Sequence, residues 1–234
     1  MSDAAAALIL EARDVSKDYV TRAVTTRALE GVTLGIASGE FSALAGPSGS
    51  GKTTLLNLLG TLDAPTHGHV RVEGVDAAAL SESGRADLRL HKLGFIFQSY
   101  NLVPVLSALE NVEFVLLLQR VPAAERRARA REVLVNLGLG GLLDKRPPEM
   151  SGGQQQRVAV ARAIVSNPRV VLADEPTANL DSKTAESLLD LMARMNQERG
   201  VTFLFSTHDP RVMARARRVV WLEDGRIARD EVRS

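Results

Sequence analysis

The chain contains no cysteine, which excludes disulfide bonds, thiol catalysis and thiolate metal sites. Aromatic residues make up only 4%, and no aromatic cluster marks a pocket for an apolar cargo. A formal net charge of +1 leaves no global field to draw the chain onto nucleic acid or an anionic membrane, and a nucleic-acid partner is not expected. Long apolar runs are missing as well. Ala4 to Leu10 is the longest near the start, follows Asp3 and has no basic flank. It is neither a secretory signal nor a membrane span, which needs about 20 apolar residues. A cytoplasmic location is therefore expected, and any membrane partner must be argued from local features.

What is present suits one sizeable globular core: 234 residues, 45% hydrophobic and 24% charged. Short apolar runs alternate with helical patterns, which indicates an α/β sheet protein. Strand-like runs are Phe41–Ala45, Val70–Val72, Leu93–Phe97, Val170–Ala173, Val201–Phe205 and Val219–Leu222. Leu8–Ala12 and Leu34–Ile36 suggest a small β region at the start. Lys52 to Leu62 carries leucines at helical spacing, and Ala185, Leu188, Leu189, Met192 and Met195 form a second stripe. Between about Ser107 and Leu143 the pattern predicts two helices and no strand, the second opened by Pro122 and closed by Gly138. Arg126, Arg127, Arg129 and Arg131 read as a solvated helix face.

Gly46-Pro47-Ser48-Gly49-Ser50-Gly51-Lys52-Thr53-Thr54 fits the phosphate-loop pattern GxxxxGK[ST]. Glycines let successive backbone N–H groups turn inward around phosphates, and the following helix points its positive end at them. Lys52 supplies a charge for the β and γ phosphates, and the Thr53 hydroxyl is a candidate Mg²⁺ ligand. The pattern alone does not separate kinase, GTPase and ATPase.

Val170–Ala173 leads into Asp174-Glu175. Acids at the carboxyl end of such a strand sit where α/β sheets bind ligands. Asp174 is placed to hold Mg²⁺, and Glu175 to reach past the γ-phosphate and orient an attacking water. Pro176 bars continuation of strand pairing, and Ser182 is the expected cap of the next helix. His208 lies beyond a third strand's carboxyl end, where it could contact the γ-phosphate.

With Ser151-Gly152-Gly153-Gln154-Gln155-Gln156-Arg157, preceded by Met150 in place of the usual leucine, the chain resembles ABC transporter nucleotide-binding subunits over essentially its whole length. Ser151 and two glycine N–H groups at a helix start form a second anion site, roughly a hundred residues after the phosphate loop. The resemblance implies a P-loop NTPase (RecA-like) core of about 1–97 and 157–234. To this it adds an N-terminal antiparallel β region and an α-helical subdomain insertion of about 98–156. It further implies that Tyr19 stacks on adenine, although a lone tyrosine before a strand could equally be core. Gln98 would sense Mg²⁺ and the attacking water, Asp181 would communicate across a dimer, and His208 would act as a switch.

ATP and Mg²⁺ are the implied cofactors. A second copy of the chain and integral membrane permease subunits are the implied partners, which places the protein on the inner face of the cell membrane. Gly46–Leu56, Leu59–Asp63 with Pro65, Thr66 and Gly68, Asn101–Pro104 and Ala173–Asp181 resemble the macrolide-exporter and lipoprotein-release branch with its cell-division relative. Ala178 replaces the branch's usual glycine, and Val20–Ala23 lacks the glycine often found after the tyrosine. Transport through a membrane partner is the expected role; the alternative is a mechanical signal to such a partner without cargo. No Asn-Lys-x-Asp motif supports a GTPase, a small-molecule kinase leaves Ser151–Gln154 unexplained, and neither a coiled-coil insert nor a second cassette supports action on DNA or ribosomes.

Overall fold

The computed structural model describes residues 8–20 and 24–233. Most of the Ala4–Leu10 run and of the Val20–Ala23 stretch lies outside the described residues. Elements follow in the order β1 (Leu8–Val20), β2 (Thr25–Ala37), β3 (Phe41–Ala45), α1 (Lys52–Leu59), β4 (His67–Val72), β5 (Val75–Asp76), α2 (Glu82–Lys92) and β6 (Leu93–Ile96). Then come α3 (Ala108–Leu118), α4 (Ala123–Asn136), α5 (Gly152–Ile164), β7 (Val170–Asp174), α6 (Ser182–Arg199), β8 (Thr202–Thr207), α7 (Pro210–Arg215), β9 (Arg218–Glu223) and β10 (Arg226–Val232).

Two sheets form. The antiparallel one has the order β2-β1-β4-β5, and the larger has the order β10-β9-β3-β8-β7-β6, parallel except for β10. Alternation along the central strands divides the core in two. Phe41, Ala43 and Ala45 of β3, Val171 and Ala173 of β7, and Phe203 and Phe205 of β8 face a cluster shared with α3 to α7. Their neighbours Leu44, Val170, Leu172 and Leu204 face the opposite way, onto α1 and the antiparallel sheet. The larger sheet is thus covered on both faces.

Ala45 pairs with Thr207, Asp174 with Ser206, and Ile96 with Ala173. This register brings the carboxyl ends of β3, β8, β7 and β6 to one edge. The phosphate loop, Gln98, the Asp174–Glu175 pair and His208 all leave the sheet there, as expected for ligand sites of parallel sheets.

Four local features differ from the sequence expectation. The first two strands are much longer than Leu8–Ala12 and Leu34–Ile36, because bulges near Ala12–Asp18 break the simple alternation. Helix α1 stops at Leu59, not at Leu62. Thr61 takes φ 54°, Leu62 N–H donates to Asn57 O and Thr61 N–H to Leu58 O, which is a Schellman stop that turns Leu62 outward. Helix α2 has no counterpart in the hydrophobic pattern, because none of its residues is fully buried; Ser81 caps it by accepting from Gly84 N–H. Finally, α6 is capped by Asp181, which accepts from Thr184 N–H at 3.0 Å, and Ser182 is its first helical residue. The expected cap was one position late because Asp181 leaves the helix with extended backbone, φ −63° and ψ 160°.

Two helices fill the Ser107–Leu143 stretch, the first with a reciprocal Ser107/Glu110 capping box and the second closed by Gly138 at φ +75°. Buried Asn111 binds the chain before α3, with Oδ1 accepting from Val103 N–H and Nδ2 donating to Val103, Leu106 and Ser107 carbonyls. Arg127, Arg129 and Arg131 are exposed, and Arg129 pairs with Glu125 one turn away.

Candidate active site

The loop after β3 wraps the start of α1. At Gly46, with φ +144°, an added Cβ would meet Leu222 O at 2.1 Å; at Gly51, with φ +99°, it would meet Ala28 O at 2.6 Å. Only glycine satisfies both the backbone conformation and the clearance. Ala28, Gly49, Gly51, Lys52, Thr53 and Thr54 line a cavity of about 200 Å³ over this loop. Lys52 is buried, and its ammonium donates to the Gly46 and Pro47 carbonyls, both at 2.8 Å. The Ser50 hydroxyl is buried without a partner. A glycine-rich loop at a helix start and the buried Lys52 ammonium around one hollow suit a polyphosphate.

The Thr53 hydroxyl donates to Asp174 Oδ1 at 3.0 Å, joining the phosphate loop to the end of β7. Among the described residues no group of three acidic, histidine or cysteine side chains could hold a metal by itself. Two hard oxygens beside a phosphate cradle fit Mg²⁺, which typically takes one or two protein ligands and completes its shell from phosphates and water.

Glu175 takes φ 45°, a left-handed conformation uncommon for a residue with a side chain. Its N–H still donates to Ser206 O at 2.8 Å, so the backbone turns out of the sheet while the last ladder bond is kept. Both carboxylate oxygens are engaged: Thr207 Oγ1 lies 3.3 Å from Oε2, and His208 Nδ1 lies 2.7 Å from Oε1. The His208 side chain is otherwise exposed, which leaves its other nitrogen available for a phosphate oxygen.

Tyr19 is exposed on the antiparallel sheet rather than in the core. Its hydroxyl donates to Asp63 Oδ2 at 3.3 Å, and the Lys17 ammonium sits 5.0 Å from its ring centroid. Lys17 also donates to Asp63 Oδ1 and Ala64 O, both at 2.7 Å. Burial alone would raise the Asp63 carboxyl, but Lys17, the Ala64 N–H and Tyr19 hold it below the usual carboxylate value. Lys17, which no motif singles out, and Asp63, which closes the Leu59–Asp63 stretch, thus hold the ring in place.

Gln98 is exposed beyond the end of β6, and its carbonyl accepts from Asn179 Nδ2 at 2.9 Å. Tyr100 and Asn101 follow at φ 59° and 49°, and the Arg162 guanidinium of α5 clasps both of their carbonyls. Ser151 caps α5 reciprocally with Gln154. An added Cβ at Gly153 would lie 2.7 Å from Thr184 Cγ2, so the glycines also let α5 approach α6. Ser151–Gln154 contribute nothing to the cavity over Lys52. Thr53 and Asp174 therefore meet, as do Glu175 and His208, and Gln98 meets the segment ahead of Asp181, while Ser151–Gln154 stay outside the cavity over Lys52.

A phosphate loop, an acid pair and a histidine on adjoining strand ends define a P-loop nucleotide hydrolase. The model of the ABC transporter family matches residues 29–178, and the chain belongs to that family. The lipoprotein-releasing system ATP-binding protein LolD of Anaeromyxobacter dehalogenans is 49% identical over 231 residues, covering 98% of this chain and 97% of that protein. The macrolide export ATP-binding/permease protein MacB of Syntrophobacter fumaroxidans is 48% identical over 219 residues, covering 93% of this chain but 31% of that protein. The ATP-binding cassette MJ0796, solved as a dimer in a post-hydrolysis state bound to ADP and Pi, matches with a TM-score of 0.90 at 42% identity, over 95% of this chain and 98% of that one. The chain is an ATPase of the macrolide-exporter and lipoprotein-release group. No helix among the described residues is long and apolar enough to cross a membrane.

Proposed function

We propose that two copies of the chain close head to tail on two ATP molecules and drive export or extraction of a substrate through separate transmembrane subunits. The observation that carries this reading is the separation of the two anion devices, because the cavity over Lys52 includes no residue of Ser151–Gln154. Each nucleotide is then held by Lys52 of one copy and Ser151 of the other. The dimeric state of the similar cassette MJ0796 supports the arrangement.

Within each site, the phosphate-loop N–H groups and Lys52 hold the phosphates, and Tyr19 stacks on the base. Thr53 and Asp174, with Gln98 nearby, would hold Mg²⁺, which neutralises phosphate charge when bound. Glu175 accepts a proton from the attacking water, and His208 fixes the carboxylate and the γ-phosphate oxygen. Positioning and charge stabilisation supply most of the catalysis in phosphoryl transfer. Asp181 reports across the dimer from the segment that Gln98 touches.

We divide the chain into a core of about 1–97 and 157–234 and a helical part of about 98–156. Between them runs an apolar groove of about 630 Å³, lined by Leu90, Phe95, Phe97, Val115 and Leu118 among others. Its position beside Gln98 suits docking of a membrane subunit. MacB of S. fumaroxidans, named as both ATP-binding protein and permease, supports such a pairing. The chain would then work at the inner face of the membrane.

Mixing tests the shared site. Lys52→Ala and Ser151→Phe chains, each inactive alone, should regain about a quarter of wild-type turnover when combined one to one, since half the dimers then carry one intact site. A mixture that stays inactive while both variants still dimerise would remove the composite site.

A further inference from the structure

The segment leaving Glu175 is held, almost residue by residue, from several elements. Gln156 Nε2 of α5 donates to Pro176 O at 2.8 Å. The Thr177 hydroxyl donates to Asp209 Oδ2 at 2.7 Å, and Asn179 Nδ2 donates to Gln98 O at 2.9 Å. Pro176 and Thr177 are buried, and Gly152 and Gly153 bring the start of α5 against Asn179 and Thr184 with no room for a methyl group at Gly153.

Gln156 is 1% exposed, and its Oε1 has no hydrogen-bond partner. A buried acceptor left unpaired offsets what the Nε2–Pro176 bond contributes, so the amide adds little net stability here. The amide makes a single hydrogen bond, and that bond reaches the carbonyl of Pro176, the residue after Glu175.

We propose that Gln156 is a positioning residue for hydrolysis: its amide ties the first turns of α5, which carry Ser151–Gln154, to the carbonyl of Pro176, the residue after Glu175. The carboxylate then takes its working place only when α5 is correctly seated. Upstream, Glu175 is already fixed through its N–H on Ser206 O. Gln156 supplies the matching restraint downstream, and Asp209 holds the next residue from the side of His208. This inference rests on the reading of Glu175 as the general base.

The test is basal ATP turnover, ATP affinity and thermal midpoint of the full chain carrying Gln156→Met, Glu175→Gln or both. Gln156→Met should lower kcat at least tenfold, leave ATP affinity within about twofold, and move the thermal midpoint little, since the unpaired Oε1 is exchanged for an unpaired Pro176 O. In single turnover, adding Gln156→Met to Glu175→Gln should cost nothing further, because Gln156 acts through that carboxylate. Wild-type kcat in Gln156→Met, or a full additional tenfold loss in the double variant, overturns the proposal. Wild-type turnover in Glu175→Gln overturns the underlying reading instead.

Should Gln156→Met fail to fold, Gln156→Glu serves. The introduced carboxyl can donate to Pro176 O only while protonated, so its kcat relative to wild type should rise several-fold from pH 8 to pH 6. A flat ratio with a folded chain overturns the proposal.

Discussion

His208 Nδ1 and Glu175 Oε1 stand 2.7 Å apart, so the loop after β8 and the end of β7 meet through one hydrogen bond. With Thr207 on the other oxygen, the carboxylate is oriented before any water reaches it. Preorganisation of this kind removes reorganisation from the chemical step.

Glu175→Gln keeps the shape and a hydrogen bond to His208 but loses the proton acceptor. Turnover should fall roughly 10²- to 10⁴-fold, the range of general-base contributions. Phosphate release measures the loss, while binding of a fluorescent ATP analogue should be retained. Full-rate hydrolysis would end the assignment.

Gly153→Ala places a methyl group 2.7 Å from Thr184 Cγ2. The helix itself gains about 1 kcal/mol from alanine, so the thermal midpoint should change little. Turnover should nevertheless drop about 10- to 100-fold through displacement of α5. Thr184→Ser removes the clashing methyl but keeps the hydroxyl that donates to Asp181 Oδ2 at 2.6 Å. Adding it should restore activity; a double variant as slow as Gly153→Ala would show that the contact is not the cause.

Tyr19→Ala should weaken ATP binding by about 1–3 kcal/mol, the usual value of one base–aromatic stack, with kcat at saturation unchanged. Isothermal titration separates the two effects. Lys17→Met should weaken binding in the same direction by less, because it loosens the ring without removing it. Unaltered affinity in both would leave Tyr19 without a role in base binding.

Burial of Asp209 would by itself raise its pKa, but hydrogen bonds from Arg211, Thr177 and the Arg211 N–H outweigh it and bring the value from 3.8 to about 2. A depressed carboxylate stabilises the fold above its unfolded value and loses that contribution as pH falls through the folded one. The side chain is 12% exposed, so little screening applies. The contribution should be about 2 kcal/mol, present above about pH 4 and lost towards pH 2. Urea titrations should therefore find Asp209→Asn less stable than wild type at pH 7, with the gap closing across that acid window. A gap that does not change with pH would refute the linkage.

Phosphate loop, acid pair and histidine are legible in the residue order because each is a strand end followed by its own chemistry, and strand ends converge in a parallel sheet. Helix α2 was not legible, since none of its residues is fully buried and no apolar stripe announces it. Contacts between residues far apart in the chain were also out of reach. Lys17 and Asp63 meet only when the antiparallel sheet packs beside the end of α1, and Gln156 looks like any glutamine of a helix until Pro176 is placed above it. The cap at Asp181 was missed by one position because neighbouring aspartate and serine are equally good caps.

The hairpin turn between β9 and β10 forms part of the seat of the phosphate loop: Gly225 N–H donates to Ser50 O at 3.2 Å, and Glu30 N–H donates to Gly225 O at 2.9 Å. During synthesis the ribosome releases Gly46–Thr54 long before Leu222–Gly225, and until those late residues arrive the loop lacks its floor. A nascent chain halted before β9 should therefore fail to retain triphosphate even though it already carries every residue that touches it. Retention of ATP is thus expected to depend on the docking of this late hairpin.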